Sequence, residues 1–495
     1  MKSLISAGFF VSAAGITSLA AGLVSSIAIA RILGAEGTGL TALALWVALT
    51  AFAVANLGIP STILRYISRI GKDESETRGF LRTLYGPYVV SLTLFTGAFF
   101  LYASWEFYEV NLNTAFVWFF AGLIFLAYSH GLLVIVSDHG LGHFHRTAWK
   151  TAAGCALQIP VTIAGALLFG PAGAMFGYLA RHLPQMFGLS KYLRGGASEP
   201  VAISDQMRRY SRSIWASELL DQLVKTRIEF IFIGWFFSIT ELGFFAAGIT
   251  FSSLILQLSV YLAAGLTPGF GKLYDDDAMD QLRLSYDRTL RWLTMLLLPI
   301  SLGGAAIMSE LIPLAFGQDF TATVPIAEIL VLFSLPQALS SVPLAAMLAL
   351  ENDRKLLFIN GVTVLVLVAL NLTLTPIFGG IGAAWIRGVV GLSSFLWLIH
   401  HCRHALGFRI SLAPYLRILV SGLACAGAAF VILREVHGVP GLAIAIPAGA
   451  LAYLIALRLT KAIPGAEIEI MRDLLGKVTP AHLRKHALRL VSILG

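Results

Sequence analysis

Fourteen separate apolar runs dominate the sequence and constrain its fold more than any other feature. A helix of about 20 residues crosses the hydrocarbon core of a bilayer, and each run is long enough to do so. The composition agrees: 57% of the 495 residues are hydrophobic and 13% are charged, whereas soluble proteins carry about 25% charged residues. The sequence therefore predicts an all-α polytopic membrane protein with about 14 transmembrane helices. The runs lie at about 8–30, 40–64, 83–103, 114–136, 148–168, 172–192, 212–237, 243–266, 289–309, 322–349, 356–376, 381–401, 412–433 and 440–459.

Basic residues distinguish the two sides of the predicted membrane. With the N-terminus in the cytoplasm and the spans alternating, 29 of the 35 lysines and arginines fall in cytoplasmic segments, and only Arg31 and Arg434 fall outside. Cytoplasmic loops of membrane proteins carry such an excess. The distribution predicts an even number of spans, a location in the inner (cytoplasmic) membrane and both termini in the cytoplasm. It also explains the net charge of +8, so no nucleic-acid partner is expected.

Two pairs of similar segments indicate an internal duplication. Residues 31–39 (RILGAEGTG) resemble residues 235–243 (WFFSITELG), and residues 169–174 (FGPAGA) resemble residues 378–383 (FGGIGA). Chance similarity between Gly- and Ala-rich membrane segments is the alternative. A duplicated unit of six helices keeps its orientation, because six is even, and gives a parallel repeat with a cavity between its copies.

This repeat suggests a domain organisation. We expect an N-terminal six-helix lobe over 1–195, a C-terminal six-helix lobe over 205–405 and two additional transmembrane helices over 410–460. The remaining residues, 461–495, alternate leucines with basic residues. They are expected to form a cytoplasmic amphipathic tail that lies on the membrane surface or binds a partner.

The seventh predicted span carries a row of charges. Glu218, Asp221, Lys225 and Glu229 follow one another at spacings of three and four residues, which places them on one side of a continuous helix. Charges at membrane depth usually face a cavity or a partner. The row either lines a transport cavity or forms i,i+4 pairs that neutralise each other. In the first case Lys225 would bind anionic substrate, and Asp221, Glu229 or Glu218 would bind a coupling ion.

Two further spans contain arginine. Arg181 and His182 lie near the middle of the sixth span, and Arg387 lies in the twelfth. A guanidinium group binds phosphate through paired hydrogen bonds and keeps its charge. These residues and Lys225 are therefore candidates for binding a pyrophosphate in the cavity, although an arginine can also extend its stem to reach the membrane surface.

Other polar residues within the spans, including His130, Asp138 and Gln158, are expected to form interhelical hydrogen bonds. The sequence has no G-x-x-x-x-G-K-[ST] loop and no paired Cys or His motif, so no ATP hydrolysis, metal, cofactor or catalytic residue is predicted. The longest outer loop, 104–113, is short for a membrane-embedded glycosyltransferase or polymerase, which usually displays catalytic acids there.

Three stretches resemble the Wzx-type polysaccharide and oligosaccharide flippases of the multidrug/oligosaccharidyl-lipid/polysaccharide (MOP) exporter superfamily. The similarity covers about residues 1–405, and at Glu229 the family often has Asp. The first span is uncharged up to Arg31, unlike the lipid II flippases of the superfamily, which carry arginines there. The stretches are residues 30–39 with 57–59 and 64–67, residues 226–234 with 241–247, and residues 371–384.

The resemblance implies two six-helix lobes, a central cationic cavity and alternating access. It implies a polyprenyl-pyrophosphate-linked oligosaccharide as cargo, moved from the cytoplasmic to the outer leaflet and coupled to an ion gradient or to the membrane potential. Membrane lipids and the polymerase or glycosyltransferases of glycan synthesis would be its partners. The alternatives are a multidrug or small-cation extruder of the same superfamily and, from another class, a membrane glycosyltransferase or polymerase.

Overall fold

The computed structural model describes residues 2–70, 74–109, 111–193, 201–225, 227–408 and 410–462, and this part of the chain is helical without strands. Short turns and one 3₁₀ segment, Gln318–Thr323, connect the α-helices. The helices are α1 (Lys2–Ala55), α2 (Ile59–Ile70), α3 (Glu74–Glu109), α4 (Leu112–Gly140), α5 (Phe144–Met186), α6 (Leu189–Leu193), α7 (Asp205–Lys225), α8 (Glu229–Phe236), α9 (Ile239–Ala263), α10 (Leu266–Asp275), α11 (Met279–Phe316), α12 (Val324–Leu339), α13 (Ser341–Ala349), α14 (Asp353–Ala405), α15 (Leu412–Glu435) and α16 (Gly438–Leu459).

Ten helical segments of the described chain are long and apolar enough to cross a membrane. Three of them contain a glycine with non-helical backbone near the middle: Gly34 (φ 67°, ψ −167°), Gly170 (φ 61°, ψ −143°) and Gly379 (φ 58°, ψ −145°). Glycine adopts positive φ without the steric cost that a Cβ atom adds. The three values are alike, so α1, α5 and α14 each consist of two arms joined by the same kind of turn.

The two arms of α5 form an antiparallel hairpin. Gln185 Nε2 donates a hydrogen bond to Thr151 Oγ1 at 2.8 Å, and a Cβ atom on Gly165 would overlap the backbone of Gly173. These partners lie about equally far on either side of Gly170, as a hairpin requires. One α5 helix of 43 residues thus provides the fifth and sixth predicted spans.

The arms of α14 show the same arrangement. Thr363 Oγ1 and Ser394 Oγ lie 3.5 Å apart on opposite sides of Gly379. Gly170 and Gly379 occupy the same position in the two FG segments that the sequence predicts to be repeated, and their backbones agree. The order of elements also repeats, because both α1–α2–α3 and α9–α10–α11 consist of a long helix, a short helix of 12 or 10 residues and another long helix.

The seventh predicted span differs from the expectation. A single helix over 212–237 was predicted, but α7 ends at Lys225 and α8 begins at Glu229. Charges crowd this stretch on more than one side, because Arg227 lies between two residues of the charged row. An unbroken helix would carry these charges through the apolar core, whereas two shorter helices allow them to be placed separately. The predicted count of fourteen spans is therefore not established.

The chain forms two compact units. The first comprises Met1–Ala247 and Val368–Gly380, and the second comprises Gly248–Leu367 and Ile381–Gly495. Tyr88 and Phe125 are fully buried in the core of the first unit, where α2, α3 and α4 pack together. Tyr286 and Phe408 are fully buried in the core of the second, with ring centroids 4.6 Å apart. The predicted amphipathic tail lies outside the described residues beyond Ala462.

A reciprocal contact joins α1 and α9 within the first unit. A Cβ atom on Gly39 would overlap the carbonyl oxygen of Ile239, and a Cβ atom on Gly243 would overlap the carbonyl oxygen of Ala35. Gly39 and Gly243 are equivalent positions of the predicted repeat. Small residues four apart allow such close backbone approach in membranes. The contact therefore has the self-matching form of a two-fold interface, in which each copy contributes the same patch.

We predict that Gly165→Ala lowers the stability of the protein because its new Cβ atom would meet the fixed backbone of Gly173. Overpacking of this kind typically costs about 1–3 kcal/mol. Thermal unfolding in detergent should show a lower Tm. The control is Gly97→Ala in α3, where the new Cβ meets nothing within 4 Å, so its Tm should be unchanged or higher. Equal Tm values for the two variants would contradict the hairpin.

Candidate functional site

Tyr128 of α4 lies at the centre of a polar cluster in the first unit. Its ring packs edge-on against His182 of α5, with centroids 5.3 Å apart, and edge-on against Phe52 of α1, with centroids 5.0 Å apart. Its hydroxyl interacts electrostatically with both Arg181 and Glu218. Three of the seven predicted site residues, from two helices, thus interact with one tyrosine: His182 through ring packing, and Arg181 and Glu218 through electrostatic interaction.

The close packing of the α5 arms positions Arg181. A Cβ atom on Gly154 would overlap the carbonyl oxygen of Arg181, so glycine at 154 lets the second arm approach. Arg181 Nη1 donates a hydrogen bond to Oε1 of the fully buried Gln158 at 3.1 Å. Arg181 follows the Gly170 turn by eleven residues, about 16 Å of helix. This is close to half of the hydrocarbon thickness of about 30 Å.

Glu218 belongs to α7 and is half-buried. Its Oε1 accepts a hydrogen bond from Ser61 Oγ in the first turn of α2. Because Glu218 also interacts with the Tyr128 hydroxyl, it connects α7 with both α2 and α4. The carboxylate therefore lies where a change in its charge would be felt by Tyr128 and Ser61.

The rest of the charged row is placed separately. Glu229 is fully buried in the first turn of α8, where the positive end of the helix dipole favours a negative charge, and a partner group engages it. Asp221 and Lys225 lie in α7, but their side chains are outside the described residues. The one-sided row was predicted for a continuous helix, and the interruption between α7 and α8 separates Glu229 from the other three residues. The functional roles of the four residues stay predictions.

Arg387 lies in α14 and belongs to the second unit. Its exposed fraction is 9%, and it is engaged by a partner group. Next to it, Gly388 packs against the ring of Phe333, which lies 5.5 Å from the ring of Trp385. Because Arg387 is almost fully buried and has a partner, its charge is held inside the second unit. A role in substrate binding stays a prediction.

Sequence reasoning did not single out Tyr128 or Ser61. A tyrosine within an apolar span gives no signal by itself, because tyrosine is common in protein cores and at membrane surfaces. Interhelical roles are confirmed for three other polar residues. His130 Nε2 lies 3.0 Å from Tyr85 Oη, Gln158 binds Arg181, and Asp138 accepts from Lys150 Nζ at 3.3 Å.

Within the described residues, no group of three His, Cys, Asp or Glu side chains could hold a metal ion. Cys155, Cys402 and Cys425 are buried and unpaired with one another.

Several solved structures that share this fold are described as transporters or flippases. The lipid II flippase MurJ in an inward closed conformation matches with a TM-score of 0.71 and 14% identity, over 91% of this chain and 98% of that chain. The MATE multidrug transporter DinF-BH matches with a TM-score of 0.54 and 16% identity, over 82% and 97%. A MOP superfamily transporter from Pyrococcus furiosus matches with a TM-score of 0.55 and 14% identity, over 80% and 95%.

The fold thus defines a multi-pass membrane protein with the architecture of these three solved structures. A family model described as "Polysaccharide biosynthesis protein" matches residues 28–325, well over half of the sequence. The chain belongs to this family, and the resemblance inferred from the sequence motifs is confirmed. A comparison with curated protein sequences gives no match.

We predict that Tyr128→Phe and Tyr128→Ala have different effects on stability. Tyr128→Phe keeps the ring contacts with Phe52 and His182, so its Tm should stay close to that of the unsubstituted protein. Tyr128→Ala removes this partly buried ring. Loss of a fully buried aromatic costs at least about 3 kcal/mol, so we expect a smaller but measurable fall in Tm. If Tyr128→Phe is stable but impaired in transport, the hydroxyl group contributes to function. A large loss of stability in Tyr128→Phe would contradict the cluster as described.

Proposed function

We propose that the protein is a flippase that moves a polyprenyl-pyrophosphate-linked oligosaccharide from the cytoplasmic to the outer leaflet of the inner membrane by alternating access. Its family membership in polysaccharide biosynthesis and its fold, shared with a lipid II flippase, support a lipid-linked glycan as cargo. Both termini would lie in the cytoplasm, as the distribution of basic residues indicates.

The single observation that carries this proposal is the position of Arg181. It follows the Gly170 turn by eleven residues, a helical length of about half the hydrocarbon thickness. Gln158 orients it through a hydrogen bond, and it interacts electrostatically with Tyr128, whose ring packs against His182. A charge within the membrane is costly, so such a residue usually faces a cavity or a partner and has a function. A guanidinium group has five N–H donors in a planar fork, which suits a pyrophosphate. In the proposal, Arg181 binds the pyrophosphate together with Lys225 and His182. Arg387, which belongs to the second unit, is a separate candidate for contacting the substrate.

Ion coupling would use the acidic residues near Arg181. Glu218 interacts with Tyr128, which also interacts with Arg181. A cation bound at Glu218 would therefore change the electrostatic potential at the phosphate-binding arginine. Glu229, buried at the start of α8, and Asp221 are the other candidates. Interrupted helices often form ion and substrate sites in transporters, which supports a role for the acidic residues on either side of the interruption between α7 and α8.

A multidrug or small-cation extruder is the second candidate function. The similarity of the fold to MATE transporters favours it, as do the acidic residues Glu218 and Glu229. It predicts that deleting the gene sensitises cells to cationic drugs, whereas the flippase predicts accumulation of lipid-linked glycan in the inner leaflet. A glycosyltransferase or polymerase would instead form glycosidic bonds, which a product assay in vesicles detects.

We predict that Arg181→Gln lowers glycan export at least tenfold, because a buried charge-assisted contact to phosphate contributes about 1.5–3 kcal/mol. Gln158→Glu should lower export similarly while preserving stability, since its carboxylate would pair with Arg181 and compete with phosphate. Export is measured by the appearance of labelled glycan on the outer leaflet. The control is Arg458→Gln at the exposed end of α16.

Normal export by stably folded Arg181→Gln protein would refute phosphate binding at this residue. Arg181→Lys refines the test, because lysine keeps the charge without the planar fork. We expect export by Arg181→Lys to be intermediate between that of Arg181→Gln and that of the unsubstituted protein.

A further inference from the structure

The chain leaves the helical conformation between α1 and α2. Leu57 and Gly58 have φ values of 52° and 69°, and Asn56 Oδ1 accepts a hydrogen bond from the Gly58 N–H at 2.7 Å. Positive φ is uncommon for a residue such as leucine. The last carbonyl groups of a helix have no helical N–H partners, and within a membrane the protein itself must satisfy them.

One face of α7 supplies the missing partners. Ser211 Oγ donates a hydrogen bond to the carbonyl oxygen of Leu57 at 2.8 Å, and Trp215 Nε1 donates one to the carbonyl oxygen of Val54 at 3.0 Å. Glu218, three residues beyond Trp215, accepts from Ser61 Oγ. Because spacings of four and three place side chains on the same side of a helix, this face spans the break from α1 to α2.

The contact continues towards the end of α2 that the basic residues assign to the cytoplasm. The Arg65 guanidinium lies 4.3 Å from the centre of the Tyr210 ring, and the Tyr66 and Tyr210 rings pack edge-on with centroids 5.7 Å apart. At its other end, Glu218 interacts with Tyr128. Thus α7 covers α2 from this basic end to the polar cluster.

We propose that this contact, which we term the α7 latch (Ser211, Trp215 and Glu218 on residues 54–61), is a cytoplasmic gate that is closed in this structure. The break at Leu57–Gly58 is its hinge. The proposal rests on the proposed function in one respect: a lipid-linked cargo must reach the Tyr128 cluster from the cytoplasmic side. Water can replace the donors of α7 when the latch separates on that side, so opening leaves no carbonyl group unsatisfied.

Gly58 allows a direct test of the latch. A Cβ atom on Gly58 would overlap the carbonyl oxygen of Ser211, so Gly58→Ala should prevent closure. The matched control is Gly142→Ala, because Gly142 also has positive φ (77°) but a Cβ there meets nothing within 4 Å. Both substitutions introduce backbone strain, and only the first disturbs the latch.

The opening is measured as a distance between spin labels on Ser68→Cys of α2 and Ser213→Cys of α7. Both positions are exposed, and the three native cysteines are buried. We expect a main short distance and a minor long one in the unsubstituted protein and in Gly142→Ala, and a dominant long distance in Gly58→Ala. One narrow distance shared by all three proteins would overturn the proposal.

A second experiment closes the latch covalently. Arg65→Cys with Tyr210→Cys, at positions whose side chains are in contact between α2 and α7, is linked by a short, reducible bis-thiosulfonate reagent. Ser421→Cys of α15 with Thr460→Cys just after α16, whose hydroxyl groups lie 3.4 Å apart, is the control pair. We expect the first link to lower glycan transport at least tenfold, with recovery on reduction, and the second to change it less than twofold.

Unchanged transport by the cross-linked 65–210 pair would also overturn the gate. If the reduced pair is already inactive, the label distances decide, because they require no cargo. The same independence separates the two proposals. A latch that opens in Gly58→Ala, together with no glycan transport by the unsubstituted protein, would refute the flippase and leave the gate standing.

Discussion

Backbone hydrogen bonding without water is the constraint on which this structure depends. Each N–H and carbonyl group at membrane depth needs a partner within the protein. The chain is therefore helical, and its changes of direction interrupt few backbone hydrogen bonds. Glycines at 34, 170 and 379 turn three long helices within one or two residues. At two interruptions of the helices, a side chain supplies a hydrogen-bond partner for the backbone. Glu241 Oε1 accepts the N–H of Gly380 at 3.0 Å, and α7 satisfies the carbonyls of Val54 and Leu57.

Close backbone contact is a second stabilising feature of the structure. Association of apolar side chains contributes little free energy when the surrounding solvent is lipid. Glycine lets helices approach until backbone atoms meet, as Gly165 and Gly173 do within α5 and Gly39 and Gly243 do between α1 and α9. The latter pair occupies equivalent positions of the sequence repeat, and the FG turns of α5 and α14 share one conformation. The duplication is thus visible in the sequence motifs and in the geometry that these motifs produce.

The candidate site was predicted in part. Arg181, His182 and Glu218 could be proposed because charge and imidazole are conspicuous in apolar spans, and the structure gathers them at Tyr128. Tyr128 and Ser61 could not, because a tyrosine or serine in a span has many ordinary roles. The charged row over 218–229 was derived for a continuous helix, and the break between Lys225 and Glu229 shows the limit of that reasoning. A helical wheel assumes regular backbone, whereas the ends of α7 and α8 respond to the cost of burying charges.

The sequence by itself determined the membrane class and the family, and it predicted the repeat and most of the apolar spans. These conclusions follow from hydropathy, charge and motifs, which are properties of short stretches of chain and can be evaluated without knowing which residues are in contact. Only the tertiary structure decided that the seventh predicted span is interrupted and that Arg181 and Glu218 both interact with Tyr128. It alone showed that α7 donates hydrogen bonds to carbonyl groups at the break between α1 and α2. The physical reason is separation along the chain: Ser211 and Leu57 are 154 residues apart, and no local pattern encodes the meeting of such distant groups.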